Sequence, residues 1–267
     1  MSKIILITGG SSGIGKAVGE FLQEKGYTVY GTSRNPETVQ NSKLKLLALD
    51  VRNTNSIQFC IDEVIRLEGK IDVLINNAGV GITGPLEEIP MEEIKNNFDT
   101  NLFGPIALMK AVLPAMRSQK SGLIINVTSI AGYMGLPFRS IYSASKGALE
   151  LITESIRMET KAFGIQITNV APGDFATDIA SRRFHAPVQK GSAYEQVYQA
   201  QLDMVNEHVN SGSDPIDMAV AIAKIIESPK PKVHYKVGAF MQKFSIVLKR
   251  ILPDTVYEKI LMNHYKL

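Results

Sequence analysis

The sequence predicts an α/β protein: one doubly wound parallel sheet with helices on both faces and a helical extension at its C-terminal end. Three observations lead there. Seven short runs rich in Val, Ile and Leu recur along the 267 residues without strict polar alternation, as strands buried on both faces do. Amphipathic stretches of helical period lie between them, which implies right-handed βαβ crossovers. The first apolar run, Ile4-Ile5-Leu6-Ile7, passes directly into TGGSSGIG, Thr8 to Gly15, a glycine-rich turn that opens a helix.

In chain order, strands are predicted at Lys3–Thr8, Thr28–Ser33, Lys45–Asp50, Val73–Asn76, Leu123–Ser129, Gln166–Ala171 and Val233–Val237. The first helix, Gly15–Lys25, follows from Ala17, Val18, Phe21 and Leu22 at spacings of three and four. The second, Thr54–Glu68, carries Ile57, Ile61 and Val64 on one face, and Cys60 beside them reads as a buried apolar filler. A third helix, Met91–Arg117, holds Asn97, Asn101, Gly104 and Pro105 in its middle, so a kink that frees polar groups is expected near Asn101. Tyr142–Phe163 and Pro215–Glu227 complete the set. No repeat or long linker interrupts the chain, so residues 1–238 read as one domain and residues 239–267 as its extension.

Composition narrows the function. Hydrophobic content of 45% fits a soluble globular protein, and a net charge of +3 without a Lys/Arg block argues against nucleic-acid binding. One cysteine excludes an intrachain disulfide and suits a reducing, cytoplasmic setting; four scattered histidines predict no metal site. No signal-peptide pattern opens the chain, and no apolar run approaches the ~20 residues of a membrane span.

The glycine-rich turn has the parts of a dinucleotide site. Thr8, Gly9, Ser11, Ser12, Gly13, Ile14 and Gly15 would bring backbone N–H groups and a helix N-terminus against a pyrophosphate. At the end of the second strand, Ser33-Arg34 stands where a carboxylate would hold a ribose 2′-hydroxyl. Arg34 can instead pair with a 2′-phosphate, so NADP(H) is preferred over NAD(H), against the plainer reading of a surface arginine before a turn. Asp50, followed by Val51, would accept an adenine amino proton or cap the next helix. Asn77-Ala78-Gly79 gives a cofactor close approach to the backbone, or is an ordinary turn.

Ser129 falls at a strand C-terminus, where open α/β sheets bind ligands. Tyr142 and Lys146 are one helical turn apart on one face. Carbonyl reduction needs a proton donor beside the hydride acceptor. A tyrosine of ordinary pKa, about 10, becomes a usable base for the reverse reaction only where a cation stabilises its phenolate. Ser129 would hold the carbonyl oxygen.

With these motifs the chain closely resembles the classical short-chain dehydrogenase/reductase family, from Lys3 to about Asp178: TGGSSGIG, NNAG at Asn76–Gly79, Asn101, Ser129, YSASK at Tyr142–Lys146, and Pro172-Gly173 followed by Thr177. The resemblance implies a Rossmann-type domain with a seven-stranded sheet and a tetrad of Asn101, Ser129, Tyr142 and Lys146. In it Tyr142 is the acid/base, Ser129 orients the substrate, Lys146 also binds the nicotinamide ribose, and Asn101 holds a proton-relaying water. It places Pro172, Gly173 and Thr177 against the nicotinamide, and it implies a homodimer or homotetramer through Met91–Arg117 and Tyr142–Phe163. Two departures stand out. Ser12 occupies a position that is basic in many NADP-dependent members. After the last strand, Val233–Gly238 replaces the usual Asp-Gly-Gly ending and leads into the extension, as in members acting on hydroxysteroids, retinoids or other lipid-like alcohols.

The segment 174–214 is expected to cross the cleft. Its Ala176, Ile179, Phe184, Ala186, Val188, Tyr194, Tyr198, Leu202 and Met204 either wall an apolar cleft or pack the lid onto the core, while Arg182, Arg183 and Lys190 read as a solvated face in preference to an anion site. In the extension, Phe240, Phe244, Val247, Leu248 and Ile251 recur at helical spacing with Lys243, Lys249 and Arg250 between them. Packing over the cleft or a subunit partner is preferred to a membrane surface. The expected activity is NADP(H)-dependent hydride transfer to or from a carbonyl/secondary alcohol, with a hydrophobic substrate ahead of a small carbonyl. The rivals are a catalytically silent NADP(H)-binding sensor or scaffold and, more remotely, a nucleotide-sugar epimerase.

Overall fold

Alternate residues of β1 (Ile4–Ile7) enter two different hydrophobic clusters, Ile4 and Leu6 on one face of the sheet and Ile5 and Ile7 on the other, and all four are buried. That is why the strand reads as an unbroken apolar run. The structure is a computed structural model that describes residues 2–175, 183–210 and 212–267, the side chains of 205–210 excepted. β1 leads into α1 (Gly13–Glu24), β2 (Thr28–Ser33), β3 (Lys45–Ala48), α2 (Thr54–Glu68), β4 (Val73–Asn76) and the short β5 (Ile82–Thr83). After these come α3 (Met91–Phe98), α4 (Gly104–Gln119), β6 (Gly122–Val127), α5 (Ser140–Thr160), β7 (Ile165–Pro172) and the short β8 (Phe184–His185). The chain ends with α6 (Glu195–Asn210), α7 (Pro215–Glu227), β9 (His234–Val237), α8 (Phe240–Ile251) and α9 (Asp254–Tyr265).

Seven strands pair in parallel in the order β3-β2-β1-β4-β6-β7-β9. Faces of α2, α4 and α5 cover one side: Ile57, Ile61, Val64, Leu108, Val112 and Leu149 meet Leu6, Leu74 and Ile124. α1 and α7 cover the other, where Val18, Leu22, Met218 and Ile222 meet Ile5, Ile7 and Ile75. Cys60 is buried in the first cluster, and burial pushes its thiol up to about 12, so it packs as a small hydrophobe. The strand order reverses at β1 and β4, which opens a crevice above their C-terminal ends.

Three features differ from the sequence reading. The helix expected over Met91–Arg117 is two helices joined by a π-helical turn, Asp99–Phe103, which carries Asn101. Pro105 sits in the first turn of α4, where its missing N–H costs nothing. The substrate-side segment contains α6 and a second small sheet in which β5 pairs in parallel with β8. Two-residue strands carry no periodicity, and α6 lacks a sharp apolar face among its described side chains. A buried polar ladder also ties the layers: Asn76 Nδ2 donates to Asn126 Oδ1 (2.8 Å), and Asn126 Nδ2 donates to Thr153 Oγ1 (2.8 Å).

Candidate active site

The glycine-rich turn is held against β2 and β4 by its own backbone. Gly9 N donates to Thr32 Oγ1 (3.2 Å) and Gly10 N to Thr32 O (2.9 Å). Gly9 and Gly13 take φ of 68° and 52°, values that favour glycine. At Gly15 a Cβ would lie 2.2 Å from Gly9 O, so the start of α1 presses on the turn as only glycine allows. Across the crevice, Thr8 Oγ1 accepts from Asn77 N (3.0 Å) and Ala78 N (2.9 Å), and Asn77 Nδ2 donates to Thr8 O (2.9 Å). Asn77-Ala78-Gly79 is thus a brace between the ends of β1 and β4.

Ser129 follows β6 and caps a single 3-10 turn, Ile130–Tyr133, accepting from Ala131 N at 3.2 Å. That turn lies directly on α5. A Cβ on Gly147 would sit 2.8 Å from Gly132 O, so two glycines bring Ser129 close to the helix that carries Tyr142 and Lys146. Lys146 is only 4% exposed; its Nζ donates to Val127 O (3.0 Å) and stands 6.0 Å from the Tyr142 ring centre. Burial holds this ammonium below the ordinary lysine range, against the upward pull of Tyr142 and then Glu150. Asn101 is fully buried. Its side chain accepts from Val80 N (2.9 Å) and donates to Val80 O (2.9 Å), which fixes the loop beyond Gly79. A Cβ on Gly79 would meet Asn101 Oδ1 at 3.2 Å and Lys146 Nζ at 3.3 Å, so both atoms border the same small space beside this glycine.

At the other end of the crevice, Arg34 is exposed beyond β2, and Ser33 Oγ accepts from Asn35 N at 3.3 Å. The Asp50 carboxylate is taken by Arg52, through Nε to Oδ1 (3.3 Å) and Nη2 to Oδ2 (3.2 Å). Burial works to raise this carboxyl, but the bonds from Arg52 and the charges of Arg52 and Arg34 bring it below the usual carboxylate range. The helix-capping alternative for Asp50 is corrected. The cap of α2 is Asn53, whose Oδ1 accepts from Ser56 N at 3.0 Å. Arg52 escaped the sequence reading; the signal was an arginine two residues past the carboxylate. Val51 is buried against the start of α4, its carbonyl oxygen 2.8 Å from where a Cβ on Gly104 would lie.

Tyr142 and Ser129 open onto a cleft also lined by Ile14, Ile82, Pro172, Gly173, Asp174, Phe175, Arg139 and Arg183. Thr177 lies outside the described residues, as do Ala176, Ile179 and Arg182. Of the two readings of the apolar residues in 174–214, packing onto the core holds for these: Phe184, Ala186, Val188, Tyr194, Tyr198 and Leu202 do not line the cleft but pack with Ile82 and Ile89 into a core of their own, against which Tyr142 rests. The expectation that changes is the one for Arg183. Arg183 is not on a solvated face. It is half-buried, and desolvation reinforced by Arg139 pushes its guanidinium down to about 10.

The extension packs beside the cleft and touches it at Asp174. Gln242 of α8 donates to Asp174 Oδ2 (2.7 Å), Tyr257 OH donates to Met134 Sδ (2.7 Å), and Gln201 bonds the Tyr265 carbonyl. Ile246, Tyr257 and Tyr265 are buried, whereas Phe240, Met241 and Ile251 are exposed. Removing residues 239–267 is therefore expected to lower the calorimetric Tm by about 5 °C or more. An unchanged Tm would mean that these contacts contribute nothing.

Among the described residues, no group of His, Cys, Asp and Glu could hold a metal ion, and no helix is long and apolar enough to cross a membrane. The family model described as short chain dehydrogenase matches residues 3–187. A 3-ketodihydrosphingosine reductase of Bacteroides thetaiotaomicron is 39% identical, with 98% of each chain covered. An NADPH-dependent 3-dehydrocapnine reductase of Ornithobacterium rhinotracheale is 29% identical over 98% of this chain and 96% of its own. The crystal structure of a short-chain dehydrogenase from Streptomyces avermitilis superposes with a TM-score of 0.82 at 29% identity, covering 99% of this chain and 97% of that one. With the motifs, the sheet and these relatives in agreement, the chain belongs to the classical short-chain dehydrogenase/reductase family of oxidoreductases.

Proposed function

We propose that this protein is an NADP(H)-dependent oxidoreductase that interconverts a lipid-like ketone and its secondary alcohol. The observation that carries the reading is the convergence of Ser129, Tyr142 and the buried Lys146 at the C-terminal edge of the sheet, beside a glycine-rich turn with no room for a side chain at Gly15. The turn from Thr8 to Gly15, Asn77-Ala78-Gly79 and Pro172-Gly173 fit a dinucleotide lying across the crevice, and bound NADPH supplies the hydride. Ser129 donates a hydrogen bond that orients the carbonyl oxygen. Tyr142 delivers its phenolic proton to that oxygen as it gains charge, and takes it back in the oxidation direction. Lys146 stabilises the phenolate by its charge and reaches the nicotinamide ribose. Asn101 holds a water in reach of Lys146, a role supported by the space that its Oδ1 and Lys146 Nζ share beside Gly79.

NADP(H) preference rests on Arg34, since Arg52 is already engaged by Asp50. Arg34→Glu is expected to raise the KM for NADPH about tenfold or more while leaving that for NADH nearly unchanged, measured by absorbance with one ketone. Equal loss with both cofactors would remove Arg34 from the role. A lipid-like substrate is supported by the 3-ketodihydrosphingosine reductase relative. A panel of long-chain keto-lipids, steroids, retinal and small diketones tests it, and preference for the small diketones would overturn it. Exposed Phe103, on the turn that leads into α4, and Leu151 and Met158 on α5 support a homodimer or homotetramer formed through this side of the molecule.

A further inference from the structure

The cleft beside Tyr142 carries more positive charge than reduction of a plain ketone requires. Arg183 is placed there by a built device. β8 pairs with β5, Phe184 N donates to Gly81 O (3.1 Å), and the arginine stem crosses Gly81, where a Cβ would lie 2.8 Å from Arg183 Cγ. The guanidinium ends against the cleft with Nη1 shut off from solvent and, among the described residues, without a hydrogen-bond partner. A buried donor left unpaired is costly, so its retention on the cleft wall marks a recognition group. The second guanidinium, that of Arg139 at the start of α5, stands 5.8 Å from the Tyr142 ring centre. Like charges facing one cleft repel unless something negative comes between them. The carboxylate on the same wall, Asp174, accepts from the Gln242 amide at 2.7 Å and supplies one negative charge, which offsets part of the two positive ones. Tyr265 shares a hydrogen bond with Arg139 and Tyr198 lies near Arg183; both phenols are pushed above the ordinary tyrosine range by burial and carry no charge at neutral pH.

We propose that Arg183 and Arg139 form an anion subsite, so that the preferred substrate is a long-chain ketone bearing a sulfonate, phosphate or carboxylate near the carbonyl. This rests on the reading of the cleft as the substrate site and narrows its substrate class. A fork of guanidinium donors matches the oxygens of such groups, and partial burial strengthens each charge-assisted bond.

The test is made on full-length protein loaded with NADPH, so it reads binding rather than turnover. Alkyl sulfonate, alkyl phosphate, alkyl carboxylate, alkylamine and alkanol of one chain length are titrated against the cofactor fluorescence. At least one anion is expected to bind about tenfold or more tightly than the alkanol and the amine, and the best anion identifies which group the subsite takes. Arg183→Gln and Arg139→Gln should each abolish that preference, Arg183→Lys should keep part of it, and the Kd for NADPH should stay within about twofold in all three. The subsite is overturned if the anions bind no better than the alkanol, if the amine is preferred, or if Arg183→Gln weakens NADPH and the anion by the same factor, which would give the arginine to a cofactor phosphate. Should Arg183→Gln fail to fold, the Arg139→Gln and Arg183→Lys arms decide. Failure of the hydride-transfer reading would show separately, as turnover that survives Tyr142→Phe.

Discussion

Tyr142→Phe is expected to reduce kcat by about a thousandfold or more while leaving the Kd for NADPH within about twofold of the native value. The substitution deletes one oxygen and keeps the ring that rests on Ile82 and Tyr198, so packing around the cleft is preserved. On the proposed mechanism, what disappears is the proton that the carbonyl oxygen takes as it gains charge. Ser129 Oγ remains, but a hydroxyl that only donates a hydrogen bond cannot neutralise that charge, so a residual rate is expected and not a complete loss. Single-turnover absorbance of NADPH with a saturating ketone measures the chemical step, and a fluorescence titration measures binding. A silent nucleotide sensor would give the opposite pattern, no ketone-dependent oxidation in either protein and identical cofactor binding. A loss of less than tenfold would move the acid to another group.

Much of this site could be read in the sequence because the chemistry is local. TGGSSGIG carries its own backbone requirement, and Tyr142 with Lys146 needs only one helical turn to come together. The strands were legible for a similar reason: a strand covered on both faces must be apolar throughout, and β4 and α2 fall where the apolar runs and helical spacing place them. What escaped depends on partners distant in sequence. Arg183 reads as a surface cation among polar residues, and its burial comes from β5, about a hundred residues earlier in the chain. Tyr198 of α6 reads as apolar from the sequence, yet it donates its hydroxyl to Thr83 O (3.0 Å) and packs on Phe138, leaving the cleft wall to Ile82, Phe175 and the two arginines. Composition tells that a side chain is buried but not against what. The break at Asn101 is signalled locally by Asn97, Asn101, Gly104 and Pro105, but its form, a π-helical turn, depends on Val80 and α5 as well.

Lys146→Met separates what this ammonium does for catalysis from what it does to the fold. On the proposed mechanism turnover is expected to fall about a thousandfold or more, because the group that would stabilise the phenolate and reach the ribose is gone. The apoprotein, by contrast, is expected to gain about 1 kcal/mol at neutral pH. Lys146 Nζ is buried with a bond to Val127 O, and no carboxylate pairs with it among the described residues; Glu150 on the next turn accepts instead from Thr128 Oγ1. Methionine has nearly the same length and leaves one carbonyl without a donor, a smaller loss than an ammonium kept from water. The pH dependence fixes the sign. Burial lowers the native value of Lys146, whereas the unfolded chain keeps its proton to about pH 10.4. Between those two values the unfolded state binds more protons, so the native protein gains stability as pH rises through that window while the variant has no such group. The advantage of Lys146→Met should therefore shrink with increasing pH in urea unfolding series. A variant that is less stable at neutral pH, by a margin independent of pH, would mean that contacts around the ammonium outweigh its desolvation and that the active site carries no strain at this position.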